Sequence, residues 1–222
     1  MGKTKNMFKW LNKRFESLYF TVIWILVVVP FLSLLFITVS GESPLYTSIS
    51  RIAWVFEHRA FMFIWSLVVL FPMVCMTNKV IKNSNLDNKS KKSLYLIAII
   101  NIIISFVAGV LFPAKSGPDD LTLWGILHDL LTAIGWLAYG IVLTIFSIKL
   151  FKVDKFQATI STCFMFFLWW TGLFFIFYVV DENTYCGTSA VTQMYIINML
   201  NIFLLINDIF QYKKEEIISL QV

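Results

Sequence analysis

Six stretches of this chain stay apolar longer than any water-exposed fold can hide. They run at about 18–39, 60–77, 94–112, 123–148, 158–180 and 190–210. A helix needs roughly 20 apolar residues to cross a hydrocarbon core about 30 Å thick. Backbone groups in lipid must be satisfied within the segment, so such runs read as helices. Of the 222 residues, 59% are apolar and 14% charged, against about 45–50% and 25% in soluble domains. With a mean hydropathy of +0.77, this excludes a soluble domain, a disordered tail and a disulfide scaffold. The expected fold is all-α: one polytopic membrane domain over residues 1–222, a bundle of six transmembrane helices.

The positive charges orient that bundle. Lys3, Lys5, Lys9, Lys13 and Arg14 precede the first run, and Lys79, Lys82, Lys89, Lys91 and Lys92 follow the second. Lys149, Lys152 and Lys155 follow the fourth, and Lys213 and Lys214 the sixth. The opposite side holds only Arg51, Arg59 and Lys115. Lysine and arginine accumulate on the cytoplasmic side, so both termini are expected in the cytoplasm of a multi-pass protein of the cell membrane. The same loops account for the net charge of +5, and no nucleic-acid partner is implied. The first run is too long for a signal-peptide core of 7–15 residues and is read as a retained helix. The polar stretch 78–93 reads as a flexible connector, and Lys, Asn and Ile usage suggests a bacterial host. Cys75 and Cys163 fall near the cytoplasmic face and Cys186 outside, too far apart for a disulfide.

Polar residues at membrane depth are costly and mark candidate sites. Both histidines fall towards the outer face: His58 at the start of the second run, His128 about one turn into the fourth, with Asp129 beside it. Asp119 and Asp120 lie just before and suit the cap of the fourth helix. His128, Thr132, Gly135 and Tyr139 share one helical stripe, which should face the bundle. Around Glu42–Arg59, Leu45, Ile49, Ile52 and Phe56 form one face, with Ser48, Arg51 and His58 leaning the other way. That pattern fits a short interfacial helix between the first two spans, or a lid over the bundle mouth. Asn198 and Asn201, one turn apart in the last run, are expected to bond a neighbouring helix, with Asn101 a candidate partner. Nucleotide-binding, zinc-protease and serine-hydrolase motifs are absent. A metal held by His58 and His128 with Asp119, Asp120 or Asp129 has no diagnostic spacing, so no metal or other cofactor is assigned.

Leu111-Phe112-Pro113, Pro118-Asp119-Asp120 and Leu127-His128-Asp129-Leu130 resemble motifs of the domain-of-unknown-function family 998, bacterial and archaeal six-helix membrane proteins. Tyr46–Ala53 is similar to the family's element between spans one and two, with Ile52 and Ala53 where members carry Leu and Gly. The resemblance implies that Ser50, Asp119 or Asp120, and His128 cluster at the outer face. It implies no activity.

Two functions stay open. One is a non-catalytic protein embedded in the lipid bilayer. It binds a lipid, peptide or partner protein at the outer mouth through Arg51, His58, Asp119, Asp120 and His128, in a sensor, immunity or accessory role. The other is an embedded enzyme acting on a lipid or lipid-linked substrate. There His128 is the base or metal ligand, Asp119, Asp120 or Asp129 orients it, and Ser50 contacts substrate or, as the lesser alternative, acts as nucleophile. A transporter fits less well, because the sequence shows no repeat.

Overall fold

The structure is a computed structural model that describes residues 15–41, 48–54, 58–114, 122–178 and 190–220. Among these, all regular structure is helical, with no strand. Helix α1 comprises Leu18–Ile23 and Val29–Ser40, joined by a π-helical turn at Trp24–Val28. The others are α2, Ile49–Trp54; α3, Arg59–Asn83; α4, Asn88–Leu111; α5, Leu123–Leu150; α6, Lys155–Tyr178; and α7, Ala190–Leu220. Five are long and apolar enough to cross a membrane: Leu18–Val39, α3, α4, α5 and Ala190–Lys213.

Helices α3, α4, α5, α6 and α7 pack in sequence order and close into a ring where α7 meets α3. Helix α1 docks outside the ring, over the α3–α7 seam. The most extensive pair is α4 with α5. Gly135 permits it: a Cβ there would lie 2.9 Å from the Asn101 carbonyl oxygen and collide with Ser105. Across the ring, the buried Tyr139 hydroxyl pairs with Thr77 at 2.7 Å.

Two prolines shape the α1–α3 contact. Proline has no N–H and crowds the carbonyl four residues earlier. Pro30 therefore distorts the turn carrying Leu26, and the chain widens into the π turn, where Val29 N–H reaches the Trp24 carbonyl. In α3, Pro72 leaves the Val68 carbonyl without its helical donor. The Trp24 indole N–H, carried on that π turn, donates to this same carbonyl at 3.1 Å.

Helix ends differ from expectation in two places. The stretch 78–93 is mostly helix, leaving only Ser84–Asp87 as connector. Lys and Asn tolerate an exposed helix end, and Asp87 Oδ1 caps α4 by accepting from Ser90 N–H at 2.8 Å. The N-cap residue of α5 is Thr122, whose side chain accepts from Gly125 N–H at 3.3 Å. Asp119 and Asp120 lie outside the described residues. All the described loop lysines fall at one end, called here the lysine-rich end.

Candidate functional site

The residues singled out at the opposite end divide between two places. Ser50 and Arg51 sit on α2, with the Ser50 hydroxyl 3.2 Å from that of Ser48. Ser48 is buried, not outward-leaning, because its Oγ accepts from Arg51 N–H at 3.1 Å and starts the helix. His58 precedes α3, edge-on to Phe61 with centroids 6.5 Å apart. The Arg59 guanidinium stacks on Trp54 at 4.3 Å, joining α2 to α3.

His128 lies on the inward stripe of α5 with Gly135 and Tyr139, all buried. Its Nδ1 donates to the Phe112 carbonyl at 2.8 Å. Phe112 is the C-terminal cap of α4, whose last carbonyls lack helical donors. The imidazole thus ties the end of α4 to the start of α5. Asp129, the next residue, is on the exposed face of the helix. Among the described residues, no group of three His, Cys, Asp or Glu is placed to hold a metal ion.

The asparagines behave differently from expectation. Asn101 Nδ2 donates to Ile97 and Asn201 Nδ2 to Ile197, both within their own helices. Asn198 instead lines a groove of about 660 Å³ between α1 and α7. That volume lies within the 300–1,000 Å³ of small-molecule sites. Pro30, Ser33, Ile37 and Gly41 form one wall, at helical spacing along α1. Val191, Met194, Tyr195 and Asn198 form the other, at i, i+3, i+4 and i+7 on α7. Gly41 ends α1 in the left-handed conformation, at φ 70°, so the wall stops there. Helix α2 flanks this end of α7, where Ile49 N–H donates to Gln193 Oε1 at 3.0 Å.

Most polar groups on the walls are satisfied. Ser33 Oγ accepts from the Trp65 indole at 2.8 Å. Thr38 Oγ1 donates to Leu34 at 2.8 Å. The Tyr195 hydroxyl pairs with Thr171 at 2.5 Å. The exception is Asn198, whose Oδ1 is buried without a hydrogen-bond partner.

A second polar cluster closes the lysine-rich end. Lys79 Nζ pairs with Asp208 Oδ2 at 2.8 Å and donates to the Phe15 and Glu16 carbonyls at 3.3 and 3.2 Å. Asn207 Oδ1 accepts from Gln157 and Ser161, each at 2.9 Å, joining α6 to α7. Gln211 donates to the Val80 carbonyl at 2.8 Å. The signal in the sequence was present: Asp208 is an acid inside the last apolar run, and Lys79 closes the second. No protein-family model, no curated protein and no solved structure matches this chain.

Proposed function

We propose that this chain is an integral membrane protein that binds a membrane lipid or another apolar small molecule in the α1–α7 groove. The reading rests on one observation: a groove of about 660 Å³ with mainly apolar walls between α1 and α7. The π turn directly below it on α1 adds support, because π-bulges recur at functional sites. The role is binding, as in a sensor, immunity or accessory protein.

The same proposal includes a sixth span. Helix α6 has 24 residues, about 36 Å at 1.5 Å per residue. Phe166, Trp170 and Phe174 point out of the bundle along it, as lipid contacts would. Six spans put both termini on one side, and the lysine-rich end is then cytoplasmic. The groove and α2 then lie towards the outer face of the cell membrane.

The test is native mass spectrometry from nanodiscs. The parent protein should retain a bound apolar molecule, and Met194→Trp, which fills the groove, should lose it. Equal retention by both would overturn the reading.

A further inference from the structure

We propose that the turn between α5 and α6 is an interfacial anchor that selects anionic phospholipids of the surrounding bilayer. This surface is separate from the groove and does not depend on the groove reading. After Leu150 the chain reverses through Phe151–Asp154, with the Val153 and Asp154 N–H groups donating to the Leu150 carbonyl at 2.9 and 2.8 Å. Asp154 Oδ1 then starts α6 by accepting from Gln157 N–H at 3.0 Å. Three apolar side chains on and beside this turn stay exposed: Phe151 by 40%, Val153 by 38% and Phe156 by 68%. Phe156 meets Phe210 of α7 edge-on, with centroids 5.7 Å apart, so it is fixed in place while exposed. Lys152 and Lys155, interleaved with them, are exposed as well.

The neighbouring helix gives the depth. Lys149 Nζ donates to Ser90 Oγ at 3.0 Å, so the end of α5 stands beside the first turn of α4. The apolar run of α4 starts only at Leu94, about 6 Å further along that helix. The turn after Leu150 therefore lies beyond the apolar run, at headgroup level. Phenylalanine and valine gain nothing from water there. The boundary between headgroups and acyl chains takes up such side chains when lysines stand beside them. The charge then chooses the lipid. Lys89, Lys92, Lys149, Lys152 and Lys155 outnumber Asp87 and Asp154, the acids described on these two helix ends. Each lysine near an anionic surface adds attraction that a zwitterionic headgroup does not supply.

The experiment uses the full chain in phosphatidylcholine nanodiscs containing a minority of phosphatidylglycerol. A probe of each lipid carries a photoreactive headgroup, and labelled peptides are mapped. Both probes should label the turn, with phosphatidylglycerol in excess of its share of the bilayer. Lys152→Gln/Lys155→Gln should cut that excess by roughly two- to fivefold for each lysine removed. Labelling by the phosphatidylcholine probe should stay unchanged in this variant, which also shows that it is folded. Lys152→Arg/Lys155→Arg should keep the excess, and Phe151→Ser/Phe156→Ser should weaken labelling by both probes. Equal enrichment of the two probes in the parent protein, or an excess that survives the Gln substitutions, would overturn the selection of anionic lipid. No labelling of the turn by either probe would overturn the anchor itself.

Discussion

Lys79 Nζ stands 2.8 Å from Asp208 Oδ2, joining α3 to α7 at the end of the bundle farthest from the groove. The lysine also holds the two carbonyls just before α1, so one ammonium gathers three helices. The Asp208 side chain is 2% exposed and that of Lys79 19%. Removing one partner from a fully buried pair costs about 3–5 kcal/mol, and exposure reduces this. Lys79→Met should therefore lower stability by about 2 kcal/mol, because the buried Asp208 carboxylate loses the ammonium that offsets its charge. The double variant Lys79→Met/Asp208→Leu should recover most of that loss in thermal unfolding. A double variant no better than the single would mean that the pair itself, not the stranded charge, carries the stability.

The Trp24 indole compensates for Pro72, and that relationship can be measured as a coupling. Trp24→Phe removes the donor to the Val68 carbonyl and should cost about 1 kcal/mol, the net worth of such a bond. Pro72→Ala returns a helical N–H to the same carbonyl. In that background Trp24→Phe should be nearly silent in thermal unfolding. Equal losses in both backgrounds would show that the indole contributes by packing alone.

The bundle was legible because membrane spans are local signals. Apolar length marks the long helices and a 3.6-residue period sets the inward stripe, so His128, Gly135 and Tyr139 fall where the spacing puts them. A proline inside an apolar run signals a break in the helical ladder, but not that the break at Pro30 takes the form of a π turn whose Trp24 reaches Val68 on another helix. Capping was ambiguous: Asp119, Asp120 and Thr122 all suit a helix start, and α5 begins with Thr122 at its N-cap. The groove was not legible. Its walls come from the first and last long helices, and only packing shows that Asn198 faces α1 across it while Asn201 is fully buried with its Nδ2 on its own helix.

Asp87 makes the cap of α4 sensitive to acid. Hydrogen bonds from Ser90 hold its carboxyl below the usual aspartate value, with Lys149 adding attraction. A depressed folded value means that the carboxylate stabilises the cap at neutral pH. The contribution weakens as pH falls through the usual aspartate range and is gone below the folded value. Hydrogen exchange of the first turn of α4, corrected for intrinsic rates, should speed up over that acid window. Asp87→Asn should flatten the dependence, since an amide oxygen caps without titrating. An unchanged profile in the variant would place the acid sensitivity elsewhere.

His128 separates stability from binding. Its imidazole donates to the Phe112 carbonyl at the α4–α5 junction, whereas the groove lies between α1 and α7. His128→Phe keeps a ring in the site and removes the donor, leaving a carbonyl at the helix end unpaired. The expected cost is about 1–3 kcal/mol in thermal unfolding, the penalty for one stranded acceptor. Retention of the groove ligand in nanodiscs should be unchanged at temperatures where the variant is folded. Met194→Trp should lose the ligand even at temperatures where the variant is folded. If His128→Phe instead released the ligand while remaining fully folded, the binding site would extend to α5, and the histidine would be part of it.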